Sequence, residues 1–149
     1  MGNGTADTFS LDLTMNNTGS HNMYLGYSGP GHFVGGDLVV NHSTSGTNSN
    51  YYISSTSSSE TTINGATTIN TTSSATSSAI YVGDQGSVTM NSSLTLTHNP
   101  TGTTRRTYIS NNTVASVTIT GDLTVLNSGT GGTTCEVYVG NSGDASVGG

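Results

Sequence analysis

The stretch from Thr118 to Leu126, which reads TITGDLTVL, is one copy of a phrase that recurs along the chain. In each copy the second and sixth positions lie four residues apart, as Ile119 and Leu123 do, and both are apolar except where Thr67 holds the sixth. Sequences that repeat at intervals of about 20–50 residues are typical of solenoids, propellers and arrays. The repeat therefore decides the fold class. The other copies are TFSLDLTMN (8–16), FVGGDLVVN (33–41), TINGATTIN (62–70) and TMNSSLTLT (89–97).

Five tyrosines mark the repeat a second time, each followed by an aliphatic residue and then by glycine or serine. Their spacings are 28, 29, 27 and 30 residues. The distance from the phrase to the tyrosine varies more: Leu38 lies fourteen residues before Tyr52, whereas Leu13 lies eleven before Tyr24. A fixed corner with loops of variable length is the pattern of a coiled β-structure. The five are Tyr24, Tyr52, Tyr81, Tyr108 and Tyr138.

Local alternation predicts strands. Residues 94–96, 117–119, 123–125 and 137–139 alternate between two faces, and they are rich in the Thr, Val, Ile and Tyr that strands favour. No stretch has helical spacing. We therefore predict an all-β parallel β-solenoid with about 28 residues in each coil. Coils stacked in register rise by about 4.8 Å and align equivalent residues in inner columns. These are Phe9/Val34/Ile63/Met90/Ile119/Val147, Leu13/Leu38/Thr67/Leu94/Leu123, Met15/Val40/Ile69/Leu96/Val125 and Leu25/Ile53/Val82/Ile109/Val139.

The whole chain, 1–149, is predicted to be one solenoid domain of about five coils. A propeller is the alternative, but its blades need repeats of about 40–50 residues, and the shorter period favours the solenoid. The expected division is a partial coil at 1–11 followed by coils 12–36, 37–65, 66–92, 93–121 and 122–149.

Composition limits the function classes. The chain has no lysine, its only basic side chains are Arg105 and Arg106, and its net charge is −6. Without a basic stripe it is not expected to bind nucleic acid, and the arginine doublet is expected at a loop tip. No segment reaches the length of a membrane-spanning helix, so membrane insertion is not expected. Only 30% of the residues are hydrophobic, which a solenoid tolerates because each coil repeats a thin core.

Candidate reactive residues are few. Asp12, Asp37 and Asp122 share one coil position, where Ca²⁺ binding is one alternative and a solvated or turn-capping carboxylate is the other, and the second is preferred. His42 and His98 share another position, while Cys135 is expected in a loop without a histidine beside it. No metal set or nucleophile–base pair emerges. We therefore predict no catalytic, cofactor-binding or metal site, no cofactor, and a protein that is not an enzyme.

The tyrosines are expected to stack in an outward column, which either stabilises the coil or offers a stripe for glycans or a neighbouring fibre. Six Asn-X-Ser/Thr sequons are as well explained by amide ladders in a solenoid as by glycosylation. They begin at Asn3, Asn16, Asn41, Asn70, Asn91 and Asn111.

The phrases YVG…GSVTMNSSLTLT and VTITGDLTVLN resemble the β-solenoid passenger repeats of bacterial autotransporter adhesins and related surface or filament proteins. The resemblance extends over nearly the whole chain. It implies an extracellular, cell-surface or fibrous setting, and it brings no catalytic residues with it.

The segments Gly2–Leu11 and Gly140–Gly149 follow the same part of the pattern, and neither carries a polar cap or a lysine or proline that blocks strand pairing. Two interpretations follow. The chain is either an extracellular fibre subunit that stacks head-to-tail on copies of itself, or a segment of a longer cell-surface adhesin or phage tail fibre that binds glycans. We expect the first. Ordered water on threonine rows, as in ice binding, is a further alternative that the drifting loop lengths disfavour.

Overall fold

The computed structural model describes residues 4–43, 45, 48–72, 74, 76–99, 101, 104–128 and 134–149. Within these ranges the chain is all β, without a helix. Its sixteen strands are β1 Thr8–Phe9, β2 Leu13–Asn17, β3 Met23–Leu25, β4 His32–Val34, β5 Leu38–His42, β6 Asn48–Ile53, β7 Glu60–Ile63, β8 Thr67–Thr71, β9 Ser77–Val82, β10 Ser87–Met90, β11 Leu94–His98, β12 Thr104–Ile109, β13 Ser116–Ile119, β14 Leu123–Asn127, β15 Thr134–Val139 and β16 Asp144–Val147.

The strands form three parallel sheets, in which each strand pairs with its equivalents one coil before and one coil after it. Sheet 1 has the order β1-β4-β7-β10-β13-β16, sheet 2 the order β2-β5-β8-β11-β14, and sheet 3 the order β3-β6-β9-β12-β15. Tyr52, for example, pairs with Tyr24 on one side and with Tyr81 on the other. The predicted parallel β-solenoid, with about 28 residues between equivalent strands, is confirmed.

The four predicted inner columns are also present in the strand registers. The column Met15/Val40/Ile69/Leu96/Val125 runs through sheet 2, and its three middle members are fully buried. The column Leu25/Ile53/Val82/Ile109/Val139 runs through sheet 3, where its first four members are buried. The core is thus a narrow axial stack in which each apolar residue packs on its equivalents, as expected for a chain with few apolar residues.

Three further inward columns carry polar residues and were not predicted, and Ser49 and Ser78 are buried in a fourth. Tyr51 and Thr107 are fully buried in one, and His42 and His98 are buried in another. Strands of five or six residues turn more than two side chains inward, because alternate residues share a face. The repeat phrase contains only the apolar positions that recur in every coil, so it gives no sign of these polar columns. The columns are Met23/Tyr51/Ile80/Thr107/Val137, His32/Thr61/Val88/Val117/Ala145 and Asn17/His42/Thr71/His98/Asn127.

The corners explain the constant and the variable parts of the repeat. Three residues separate sheet 1 from sheet 2 in every coil, whereas four or six separate sheet 3 from the next strand of sheet 1. The latter corner starts with a residue of positive φ in each coil, which is the glycine or serine after the tyrosine mark. The left-handed conformation favours glycine. The positions are Gly26 (68°), Ser54 (55°), Gly83 (68°), Ser110 (61°) and Gly140 (63°).

Two predictions about sheet 3 are wrong. Arg105 and Arg106 were expected at a loop tip, but they lie in β12, which pairs with β9 on one side and β15 on the other. Arg106 alternates with Tyr108 on the outer face, so its charge stays in solvent although its backbone is central in the sheet. The backbone of Cys135, expected in a loop, belongs to β15 and pairs with Arg105.

Thr67 interrupts a column whose other members are leucines, and this predicts a stabilising substitution. Its side-chain Oγ1 is buried without a hydrogen-bond partner among the described residues. We expect Thr67→Val to raise the free energy of unfolding by about 1 kcal/mol, because an unpaired buried hydroxyl costs roughly 1–3 kcal/mol of desolvation. Urea unfolding measures the change. Thr68→Val, on the outer face of the same strand, is the control, and an equal gain there would contradict the explanation.

Candidate functional site: the tyrosine column and the end faces

The tyrosine column (Tyr24, Tyr52, Tyr81, Tyr108 and Tyr138) is the most regular feature of the surface. Each tyrosine occupies the same outward position in sheet 3, so one ring lies over the next. Successive ring centroids are 4.9, 4.7, 4.9 and 5.0 Å apart, with interplanar angles of 3–9°. The predicted outward stack is confirmed, and it follows from the spacing of parallel strands in register.

The stacking determines which parts of the phenols face solvent. The faces of Tyr52, Tyr81 and Tyr108 are covered by neighbouring rings on both sides, and the edge of Tyr27 lies against Tyr24 at 5.0 Å and 86°. The surface therefore presents ring edges and hydroxyl groups. A sugar packs against the face of an aromatic ring, where the π-electron density lies. The column consequently offers a glycan little of the surface that such packing uses.

The electrostatic setting of the phenols changes along the column. Burial, with smaller contributions from Tyr52 and Tyr108, raises the pKa of Tyr81 to about 12. Burial also raises the pKa of Tyr138, where hydrogen bonding to the Glu136 carboxylate acts in the same direction. Glu136 in turn accepts a hydrogen bond from Arg106 Nε at 2.7 Å. One end of the column thus has a carboxylate acceptor beside a phenol.

The aspartates at the corner between sheets 1 and 2 cap the backbone. Asp12 Oδ1 accepts a hydrogen bond from the backbone N–H of Asp37 at 2.9 Å, and Asp37 Oδ1 accepts one from Ala66 N at 2.8 Å. Ser93 Oγ accepts the equivalent bond from Asp122 N at 3.2 Å. The preferred prediction of capping is confirmed for Asp12 and Asp37. Each of these carboxylates thus ties its own corner to the backbone of the coil stacked on it.

Three of the four histidines lie in two inward columns, and the fourth, His21, is exposed in a loop. Burial lowers the pKa of His42, whose Nε2 is 3.0 Å from Ser49 Oγ. Thr71 separates His42 from His98 in the same column. His32 accepts a hydrogen bond from Asp7 N at Nδ1 and lies in sheet 1. Across the part of the chain that the structure describes, no group of three His, Cys, Asp or Glu residues is placed to hold a metal ion.

Asparagines form short amide ladders on the outside of the solenoid. Asn41 Nδ2 donates to Asn16 Oδ1 at 2.9 Å, and Asn70 Nδ2 donates to Asn41 Oδ1 at 3.1 Å. Asn91 makes the same contact with Asn64 at 2.8 Å. These ladders give a structural role to four of the predicted sequons. Asn111 lies in a comparable chain between Asp84 and Asn141, and Asn3 lies outside the described residues.

The C-terminal end face, formed by the outer edges of β14, β15 and β16, exposes core positions. Val137, Val139 and Val147 are 40%, 50% and 43% exposed. Their equivalents one coil earlier, Thr107, Ile109 and Ile119, are at most 1% exposed. The apolar columns therefore run to this face. Among the described strands, none pairs with the outer side of β14, β15 or β16, and an unpaired strand edge is a template for pairing.

The N-terminal end face, formed by the outer edges of β1, β2 and β3, is less exposed but not closed. An open cleft of about 390 Å³ lies between β2 and β3 and is lined by Met15, Asn17, His21, Asn22, Met23 and Tyr24. Two of these, Met15 and Met23, belong to inward columns of the core. Methionine is flexible and adapts to irregular apolar partners. The cleft is thus an apolar opening at the start of the core.

No family model, curated protein or solved structure matches this chain. The described residues include no helix of the length and hydrophobicity that crossing a bilayer requires.

Proposed function

We propose that this chain is a structural subunit of an extracellular fibre and that it assembles head-to-tail by stacking β-strands of one copy on those of the next. The C-terminal end face is the observation that carries the proposal. It presents Val137, Val139 and Val147 in columns that are buried one coil earlier, beside strand edges without a neighbour. One further coil with apolar residues in the same columns would bury these side chains and satisfy the strand edges.

A second copy of the chain has the required pattern on its N-terminal end face. Leu13 stands in the column of Leu123, Met15 in that of Val125, and Leu25 in that of Val139. The stacked copy would also place its Tyr24 on Tyr138 and thereby continue the tyrosine column. This contact joins two different surfaces of the same molecule, so it does not close and generates a filament.

The strand count adds a constraint on such a junction. Sheet 1 has six strands, whereas sheets 2 and 3 have five. If β2 and β3 of the second copy lie on β14 and β15, then β1 of that copy falls on the position already held by β16. One of the two strands must be displaced. β1 has two paired residues and β16 has four, so β1 is the weaker, and β16 pairs with β4 of the second copy in its place.

Electron microscopy of the purified protein tests the proposal. We expect long fibres with a meridional spacing of about 4.8 Å and a subunit repeat of about 24 Å, which corresponds to five coils. Val139→Lys should abolish the fibres, because it places a charge in an apolar column of the junction while the side chain stays solvated in the free subunit. Val114→Lys is the matched control, since Val114 is 59% exposed in the corner between β12 and β13 and belongs to no strand of an end face.

Two results would contradict the stacking. One is wild-type protein that remains as discrete particles at high concentration, and the other is Val139→Lys protein that forms the same fibres. Discrete wild-type particles would favour the second candidate, a segment of a longer cell-surface adhesin or tail fibre that binds glycans. The extracellular setting of the proposal rests on the resemblance to bacterial surface repeats, and a non-enzymatic role is part of it.

A further inference from the structure

The tyrosine column has a regularity that the fibre proposal does not explain. It joins all five strands of sheet 3 through one continuous series of phenols, with centroids 4.7–5.0 Å apart. All five side chains are partly exposed, so oxidants in solution reach their edges and hydroxyl groups. At this distance two neighbouring phenols are preorganised for reaction with each other.

We propose that the tyrosine column is a site of oxidative cross-linking, in which neighbouring phenols couple to dityrosine and join successive coils covalently. The co-reactant is a peroxide acting through a haem peroxidase. The inference is independent of the fibre proposal, because all four neighbouring pairs lie within one chain.

The reaction balances in three steps. Each of two tyrosines loses one electron and the hydroxyl proton, which leaves two phenoxyl radicals with spin density on their ortho carbons. These carbons form one C–C bond, and the two ortho hydrogens then move as protons to the phenoxyl oxygens to restore the phenols. In total the pair loses two electrons and two protons, and one hydrogen peroxide takes them up to form two waters.

The surroundings of Tyr138 favour its oxidation first. Loss of an electron makes a phenol strongly acidic, so oxidation is easier where a base accepts the proton. The Glu136 carboxylate, which accepts a hydrogen bond from Arg106 at 2.7 Å, acts on the pKa of Tyr138 and is therefore the base available to that phenol. An electron vacancy formed at Tyr138 lies 5.0 Å from Tyr108, and the next steps along the column are equally short.

Two tyrosines outside the column provide internal controls. Tyr51 is fully buried and points to Met15, with its hydroxyl 3.8 Å from the sulfur. Tyr27 is 42% exposed but stands at 86° to Tyr24, so its ring is not stacked for coupling. Exposure alone would select Tyr27, whereas stacking selects the five members of the column.

The test treats dilute protein with hydrogen peroxide and a haem peroxidase, then measures dityrosine fluorescence and maps cross-linked peptides by mass spectrometry. We expect intramolecular links between successive column members, each with the loss of two hydrogens. The double variant Tyr52→Phe/Tyr108→Phe keeps both rings in the stack but removes all four neighbouring pairs, so the yield should fall close to zero. Tyr27→Phe should leave the yield unchanged.

Three outcomes would overturn the proposal: links that involve mainly Tyr27, links that form only between chains and vanish on dilution, or an unchanged yield in Tyr52→Phe/Tyr108→Phe. None of these depends on fibre formation, because dilute, unstacked subunits contain the complete column. Failure of cross-linking and failure of stacking are therefore distinguishable.

Discussion

Ile69→Ala is expected to lower the free energy of unfolding by about 2–5 kcal/mol, the usual range for truncating a fully buried aliphatic side chain. Ile69 is fully buried at the centre of its column, between Val40 and Leu96. Both neighbours belong to strands that pair with β8 on either side, so they cannot move to fill the space. The cavity should remain and contribute to the loss.

Urea unfolding of the purified variant measures this loss. Thr68→Ala is the matched control: it changes the next residue of the same strand, whose side chain lies on the outer face. Surface substitutions of this kind usually change stability by less than about 0.5 kcal/mol. Equal losses in the two variants would mean that the inward and outward faces of β8 are assigned wrongly.

Gly86→Ala is expected to lower the free energy of unfolding by about 1–3 kcal/mol or more, because the corner has no space for a methyl group. A Cβ on Gly86 would overlap the backbone oxygen of Ser59 and lie 2.7 Å from that of Thr56. Both oxygens belong to the corner of the preceding coil. Since they are backbone atoms in a paired structure, relief requires that two coils separate rather than that one side chain rotates.

Gly19→Ala provides the comparison for Gly86→Ala. Gly19 is exposed, and the one atom near its added Cβ is Asn17 Oδ1 at 3.5 Å, an ordinary contact. We expect a change within about 0.5 kcal/mol there. The thermal unfolding midpoints of the two variants, compared with that of the wild type, test this difference. A Gly86→Ala midpoint equal to that of the wild type would show that the corner is looser than the structure describes.

The sequence was sufficient to predict the fold because the fold follows a strict period. The three-residue corner between Ile63 and Thr67 recurs in every coil and fixes which residues turn inward on both sides of it. The inward polar columns were missed for a physical reason. His42 and Tyr51 face the core because their strands extend beyond the apolar positions that recur in every coil. The sequence between those positions varies in length and does not show where a strand ends. The doublet Tyr51–Tyr52 was the available signal, since adjacent strand residues point to opposite faces.

The candidate site was predictable in part. The outward position of the tyrosines follows from their spacing, but the parallel overlap of their rings depends on side-chain rotamers, which spacing does not specify. The roles of Arg106 and Glu136 beside Tyr138 were not predicted either, because the doublet was expected in a loop. Their contact exists because β12 and β15 pair in register, Arg106 opposite Glu136.

The direction of the backbone hydrogen bonds has a mechanical consequence. In the middle of the solenoid, adjacent coils are joined by six residue pairs in sheet 3, five in sheet 2 and four in sheet 1. A force along the long axis loads all of the hydrogen bonds between two central coils at once. These bonds therefore share the tension and do not break one after another. The join between β1 and β4, with two pairs, is the weakest of those in sheet 1. A tethered molecule under load should therefore yield first at this strand, while its central coils stay intact.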